Sequence, residues 1–352
     1  MPKPVTPGPG TPNHPSLRPA TAKRAAPVST TAKPATLKPG TSKRAAPRRA
    51  TVVFPITEAF GYKFDSDTPA AKDAHTRRAC PFSKTPCEEF QQYRYGYCSV
   101  TYSAADDERV RYTYAVCDHR LDGAPIEHVL RRHFGSVAVE LVPEVVLSNP
   151  RTSFDYVAFS RAKHNKHTVD EVIAIETQAI DIRGGGVGPA WRALMDGQAE
   201  NWRSYFTREA EEKGRKDNVA YGVNMANIYK RLAVQVVSKA TYLKSIGIPL
   251  YVIMQHRPFL YLKKRIAFVP SGDGEPWDIA FSTFDYTDEL LANGQFGFEH
   301  VDTVRTTVAN YIAALSANRA GMKERSDFLR VVEQKRLSSR QQAPLDELLL
   351  PG

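Results

Sequence analysis

Acidic residues are missing from the first fifty positions of this 352-residue chain, cysteine is missing from nine-tenths of it, and no apolar run comes near membrane length. Each gap excludes something. Residues 1–50 hold ten Lys and Arg, eleven Pro and no Asp or Glu, so once those ten are taken from the 48 basic residues, the rest of the chain sets 38 basic against 38 acidic ones. The net charge of +10 belongs to the N-terminal segment. Any nucleic-acid site in the body must therefore be a local basic surface and not a global field. A membrane span needs about 18 apolar residues in a row, and the N-terminus has no apolar core of the kind a signal peptide carries. The expectation is a soluble, cytoplasmic protein.

Residues 1–50 are rich in Pro, Ala, Thr and Lys, with TAKRAAP at 21–27 echoed by TSKRAAP at 41–47. Such a segment buries too little apolar surface to offset its ordering entropy, and it is expected to be disordered. Its charge suits loose attachment to a polyanion; a passive tail fits equally well.

The four cysteines, Cys80, Cys87, Cys98 and Cys117, fall within 38 residues. In a reducing compartment that clustering favours a metal over disulfides. The spacing of 6, 10 and 18 intervening residues is not the usual CxxC knuckle. CPFSKTPC reads as a tight loop, while YGYCSVTYS and VRYTYAVC read as strands that deliver Cys98 and Cys117. A loop pair plus a strand pair closes a tetrahedron of thiolates, against the plainer alternative of four free buried thiols. Composition alone favours zinc.

The body reads as a metal-binding subdomain over 51–120, a catalytic core over 121–260, a C-terminal extension over 261–337 and a polar tail over 338–352. In the core, IEHVLRRHF predicts a helix over 125–134 with Ile126, Val129, Leu130 and His133 on one face. A strand follows over Leu141–Leu147. Two apolar runs, Ser153–Phe159 and Val172–Ile180, alternate like strands, and the polar stretch between them, 160–171, reads as their connection. Pairing the two about the middle of that connection sets Asp155 opposite Glu176. Side chains two apart on a strand share a face, so Gln178 joins Glu176. Like charges opposed on a sheet are destabilising, which suggests a cation between them. Mg2+ suits, since it takes one or two carboxylates and fills its octahedron with water and phosphate oxygens. Ordinary surface acids at a hairpin end are the bland alternative.

DIRGGGVG lacks the GK[ST] ending of a phosphate loop and reads as a connector. Charged helices are expected over 189–214. A long helix is expected over 223–245, with Ile228, Leu232, Val236, Ala240 and Leu243 as its apolar stripe. Its Lys230, Arg231, Gln235 and Lys239 lie on other faces, where a solvated face is the bland reading and Lys230 and Arg231 are candidates for DNA contact. PLYVIMQ predicts a buried strand closing the sheet. PFLYLKKRIAFV predicts an edge strand, and a helix is expected near 301–318.

Helix, three strands, helix, strand, with an acid on the second strand and E-x-Q on the third, resembles the PD-(D/E)xK nuclease core, with Gln178 where the lysine usually stands. Four local patterns are similar to the NotI-type type II restriction endonucleases: CPF at Cys80, an aromatic-flanked glycine before Cys98, SFDY at 153–156 with IETQAID at 175–181, and NIYKR at 227–231 followed by Gln235. The resemblance covers most of the chain after about residue 54 and implies an α/β fold, a mixed sheet flanked by helices with an N-terminal four-cysteine metal-binding subdomain. It implies iron on the four cysteines in place of zinc. It also implies catalytic Mg2+ on Asp155 and Glu176, with Gln178 and an upstream glutamate, Glu144 or Glu140, completing the site. The implied activity is Mg2+-dependent hydrolysis of double-stranded DNA at a palindrome by a homodimer, with a companion DNA methyltransferase as functional partner. A DNA repair or structure-specific nuclease, and a non-enzymatic metal-stapled DNA-binding protein, are the alternatives.

Overall fold

Around Asp155 and Glu176 the chain forms the expected antiparallel strands, and they are longer than the apolar runs alone indicate. In this computed structural model residues 53–103, 110–148, 151–162, 165–184, 186–215, 219, 221–317 and 324–338 are described; the basic tail at 1–50 and the tail after 338 lie outside them.

The chain opens with β1 (Ile56–Ala59) and β2 (Tyr62–Lys63), then α1 (Pro69–Arg77) and α2 (Glu88–Tyr93). Strands β3 (Tyr97–Ser103) and β4 (Arg111–Ala115) follow. Together these strands form a four-stranded sheet in the order β2-β1-β3-β4. Gly96, the aromatic-flanked glycine, has a packing reason: a Cβ there would lie 2.4 Å from Phe60 Cε1 and 2.9 Å from Trp191 Cη2.

After a 3-10 turn over Asp118–Leu121 comes α3 (Ala124–Phe134), whose last turn carries Arg131, Arg132 and His133, favourable at the negative end of a helix dipole. Next are β5 (Val139–Ser148), β6 (Arg151–Ala162) and β7 (Asn165–Gln178). A short pair, β8 (Ile182–Gly184) with β9 (Tyr221–Val223), encloses α4 (Gly188–Met195) and α5 (Trp202–Glu212), the charged helices anticipated there. The long helix α6 (Met225–Ser245) starts on an Asn224 cap and buries the expected stripe, Ile228, Leu232, Val236, Ala240 and Leu243. It feeds β10 (Leu250–Gln255), after which come α7 (His256–Arg265), β11 (Ile279–Leu290), β12 (Phe296–Thr306), α8 (Val308–Ala317) and α9 (Arg325–Ser338).

The larger sheet has six strands in the order β12-β11-β10-β7-β6-β5. β10 lies parallel to both β7 and β11, and the remaining pairs are antiparallel, so the sheet is mixed. Helices cover both faces. All six residues of β10 are buried: Leu250, Val252 and Met254 join the cluster that includes α6, while Tyr251 and Ile253 join the one that includes Ile126 and Val129 of α3. That alternation is what a strand sandwiched between two helical layers requires.

Four readings need correction. The described residues of 160–171 are strand, with register shifts around Arg161, and Thr168, Val169, Asp170 and Glu171 are exposed, so the polarity there belongs to a ladder facing water. PFLYLKKRIAFV is not an edge strand. Phe259, Leu262 and Ile266 are buried at helical spacing, and the segment through Arg265 is α7. Consequently β10 does not close the sheet but sits inside it, with β11 and β12 beyond. Val301–Thr306 belongs to β12, its β-branched residues favouring extended chain, and the helix there begins only at Val308.

Candidate functional site

The hairpin ladder runs Phe159–Val172, Ala158–Ile173, Val157–Ala174 and Tyr156–Ile175, so the next step sets Asp155 against Glu176, as the sequence indicates. Beyond that last pair the side chain of Asp155 takes over from the backbone: its Oδ2 accepts from Thr177 N at 2.8 Å and from Thr177 Oγ1 at 3.3 Å. Ile173, Ile175 and Ala179 turn to the α3 face, so Glu176 and Gln178 turn to the α6 face. There Asp155, Glu176 and Gln178 line one pocket of about 240 Å³ together with Asp118 and, from α6, Arg231, Gln235 and Lys239.

Electrostatics in this pocket are tense. Burial, and then the charge of Asp155, push the Glu176 carboxyl up to about 7, although Lys239 Nζ stands 2.5 Å from its Oε2 and pulls the other way. Its other oxygen, Oε1, is buried with no hydrogen-bond partner. A buried, unsatisfied carboxylate oxygen is costly, and with Asp155 lining the same pocket the two acids could hold a divalent cation. Gln178 donates Nε2 to the carbonyl of Ala179 at 2.6 Å, which fixes the amide beside the two acids.

The upstream glutamates separate cleanly. Glu140 forms an exposed ion pair with Arg161, away from the pocket. Glu144 stands on β5 between Pro143, paired with Tyr156, and Val145, paired with Phe154, and therefore abreast of Asp155. Its φ is +50°, a left-handed conformation unfavourable for a residue with a Cβ. It lines a separate, larger cleft of about 1220 Å³, to which Asp155 and Thr177 also contribute. That cleft carries Glu88, Glu89, Asp118, Asp122 and Glu127 as well, against Lys84, His119 and Arg120. A polyanion entering it would need cations between its phosphates and this wall.

Asp118 was not legible as a site residue, yet it lines both the pocket and the cleft. Its Oδ1 accepts from Ala179 N at 2.8 Å, and burial followed by the Asp155 charge raises its carboxyl above the usual range. Lys239 was equally hidden, since helical spacing put it off the buried stripe. What brings it inward is its long-range pairing with Glu176 of β7, which one sequence does not reveal. Of the two residues proposed for DNA contact, Arg231 lines the pocket and reaches Asp181 at 3.4 Å, whereas Lys230 is exposed and lines neither cavity described here.

All four cysteines are buried and unpaired. Two of the sulfurs receive backbone N–H donors: Ser83 N to Cys80 Sγ at 3.5 Å and Gly61 N to Cys98 Sγ at 3.1 Å. Burial pushes the Cys98 thiol far up, and the charges of Cys117, Glu58, Cys80 and Cys87 add to it, so the four lie within electrostatic reach of one another. Among the described residues, however, no three or more His, Cys, Asp or Glu side chains are gathered into a group able to hold a metal ion, and a four-cysteine metal subdomain is not shown. No helix among the described residues is long and apolar enough to cross a membrane. No family model matches the chain, and no curated protein matches it either.

Proposed function

We propose that this protein is a Mg2+-dependent nuclease that hydrolyses phosphodiester bonds of double-stranded DNA, of the type II restriction kind, acting as a homodimer on a palindromic site. One observation carries the reading: Asp155 and Glu176 stand side by side on the α6 face of a mixed sheet, and Glu176 Oε1 is buried there without a partner. Two acids and an amide oxygen match the oxygen donors that Mg2+ takes from proteins.

Asp155 and Glu176 would hold the ion, with Gln178 beside them. When bound, Mg2+ neutralises charge on the scissile phosphate and makes water a better nucleophile. The protein's share is positioning and charge. Thr177 holds Asp155 through both its backbone N–H and its hydroxyl, which restrains the carboxylate. The Gln178 amide is tethered to Ala179 O; as an uncharged group it can orient water but cannot take up its proton. Glu144, on the cleft side of Asp155, is the further carboxylate of this arrangement, supported over Glu140 by the latter's pairing with Arg161.

A structural iron or zinc ion on Cys80, Cys87, Cys98 and Cys117 belongs to the same reading. Four buried, unpaired sulfurs support it, two of which, Cys80 and Cys98, receive backbone N–H donors of the kind that stabilise thiolates. A companion DNA methyltransferase would protect the host's own sites.

Purified protein, supercoiled plasmid and Mg2+ test the reading. Discrete linear fragments are expected. DNA binding without cleavage would leave only a metal-stapled DNA-binding protein, and cutting confined to mismatched or branched DNA would make it a structure-specific nuclease.

A further inference from the structure

Lys239 is an unusual lysine. It follows the charged, exposed face of α6 in sequence, yet its side chain is only 12% exposed, and its Nζ lies 2.5 Å from Glu176 Oε2 and 5.7 Å from the centroid of the Phe154 ring. The other cation of the pocket, Arg231, is more exposed and turned to Asp181. Strand position 178, next to the acids, holds an uncharged amide, one N–H of which goes to Ala179 O. The pocket therefore has one buried positive charge, and it comes from the helix.

Lysine is mostly exposed in proteins, and burying it is costly unless it is paired. The pairing here is incomplete in a telling way: Lys239 satisfies Oε2 of Glu176 and leaves Oε1 unsatisfied. A lysine placed only to neutralise Glu176 would be matched more simply by an apolar pair, which is often at least as stable as a buried ion pair. An ammonium kept on Glu176, at the wall of a pocket of about 240 Å³ that Asp155 also lines, has a second use.

We propose that Lys239 is a catalytic residue that contacts a non-bridging oxygen of the scissile phosphate, supplying from α6 the positive charge that Gln178 cannot supply from β7. This rests on the nuclease reading. In the hydrolysis a bond forms between water oxygen and phosphorus, the bond from phosphorus to the leaving sugar oxygen breaks, and the water's proton ends on that oxygen. Lys239 stays protonated throughout. Its contribution is to the negative charge that the phosphoryl oxygens carry at the transition state, where a preorganised cation in a pocket sheltered from water acts strongly. In the protein without a divalent ion the same ammonium partners Glu176, so binding of the ion and release of Lys239 toward the phosphate go together.

The test compares the full-length parent with Lys239→Met, which keeps most of the stem volume, and with the double variant Gln178→Lys/Lys239→Met. Single-turnover plasmid cleavage in Mg2+, Mn2+ binding by titration, and thermal melting are measured on each. Lys239→Met is expected to bind Mn2+ at least as tightly as the parent, because Glu176 has lost its competitor, and to cleave about a hundredfold more slowly or worse. The double variant should regain about tenfold or more of that loss, since the charge returns on the strand. Cleavage by Lys239→Met within about threefold of the parent overturns the inference, as does a loss of Mn2+ binding that tracks the loss of cleavage. Should Lys239→Met fail to fold, Lys239→Gln, which still hydrogen-bonds Glu176, is read against the same two outcomes. A parent that neither binds Mn2+ nor cuts DNA overturns the nuclease reading and this inference with it; a parent that cuts beside an equally active Lys239→Met overturns this inference alone.

Discussion

Asp118, one residue after Cys117, accepts a hydrogen bond at 2.8 Å from the backbone N–H of Ala179, one residue after Gln178. The same seam is closed by Ile180 N–H to Ala115 O at 3.0 Å, and Gln255, the last residue of β10, takes Ala115 N–H and donates to Thr113 O. The thiol-bearing segment is thus stitched to the ends of β7 and β10 by one backbone pair and by the side chains of Asp118 and Gln255, beside the acidic pocket. Disturbing the sulfurs should disturb the pocket.

Replacing Cys98 with Ser is therefore expected to lower stability by at least about 1–3 kcal/mol, the range in which loss of a metal or buried network falls. Elemental analysis of the purified parent should find one iron or zinc per chain, and the variant should contain less. A Cys98→Ser protein that melts like its parent would remove the metal from the account.

Arg120 provides a second stability test. It is 5% exposed, its Nε lies 3.2 Å from both oxygens of the fully buried Glu58, and its guanidinium also reaches Phe296 O at 3.0 Å. Tyr286 Oη donates to Glu58 Oε2 at 2.7 Å. Arg120→Met leaves a buried carboxylate without its cation and should cost about 3–5 kcal/mol in denaturant melts. Adding Glu58→Gln should recover a substantial part. Simple additivity of the two losses would show that they are not coupled.

Much of this was legible in the sequence because it depends on period and register. The two-residue alternation of VIAIETQ indicates which of its side chains share a face, and the hairpin's symmetry put Asp155 beside Glu176 without any knowledge of tertiary structure; in SFDYVAF the alternation breaks at Phe154, which packs on the α6 side with Val157 while Tyr156 and Ala158 face α3. The stripe on α6 was equally plain. What failed were short apolar runs in which helix and strand periods coincide, as in PFLYL, where only the burial of Phe259, Leu262 and Ile266 decides for helix. Asp118 and Lys239 were invisible for another reason: each reaches the pocket through packing of an element distant in sequence from the hairpin, and one sequence carries no periodicity for that.

Glu176 makes a pH prediction. Burial and Asp155 raise its carboxyl from 4.5 to about 7 in the folded chain, so between those values the folded protein binds more protons than the unfolded one. Stability without divalent ions should then fall as pH rises through that window, by up to about 3 kcal/mol from this group. Glu176→Gln removes the effect, and denaturant melts at pH 4.5 and 8 should show a flatter profile for it than for the parent. Identical profiles would mean that Glu176 is not under strain.

The account depends most on Asp155 and Glu176 sharing a divalent ion, and Asp155→Asn measures that directly. The substitution keeps the oxygen that Thr177 contacts but removes the charge. Assayed on the DNA that the parent cuts, with Mg2+ present, the variant should bind that DNA as the parent does and cleave it at least about a hundredfold more slowly. Cleavage at the parent's rate would contradict the site and the function built on it.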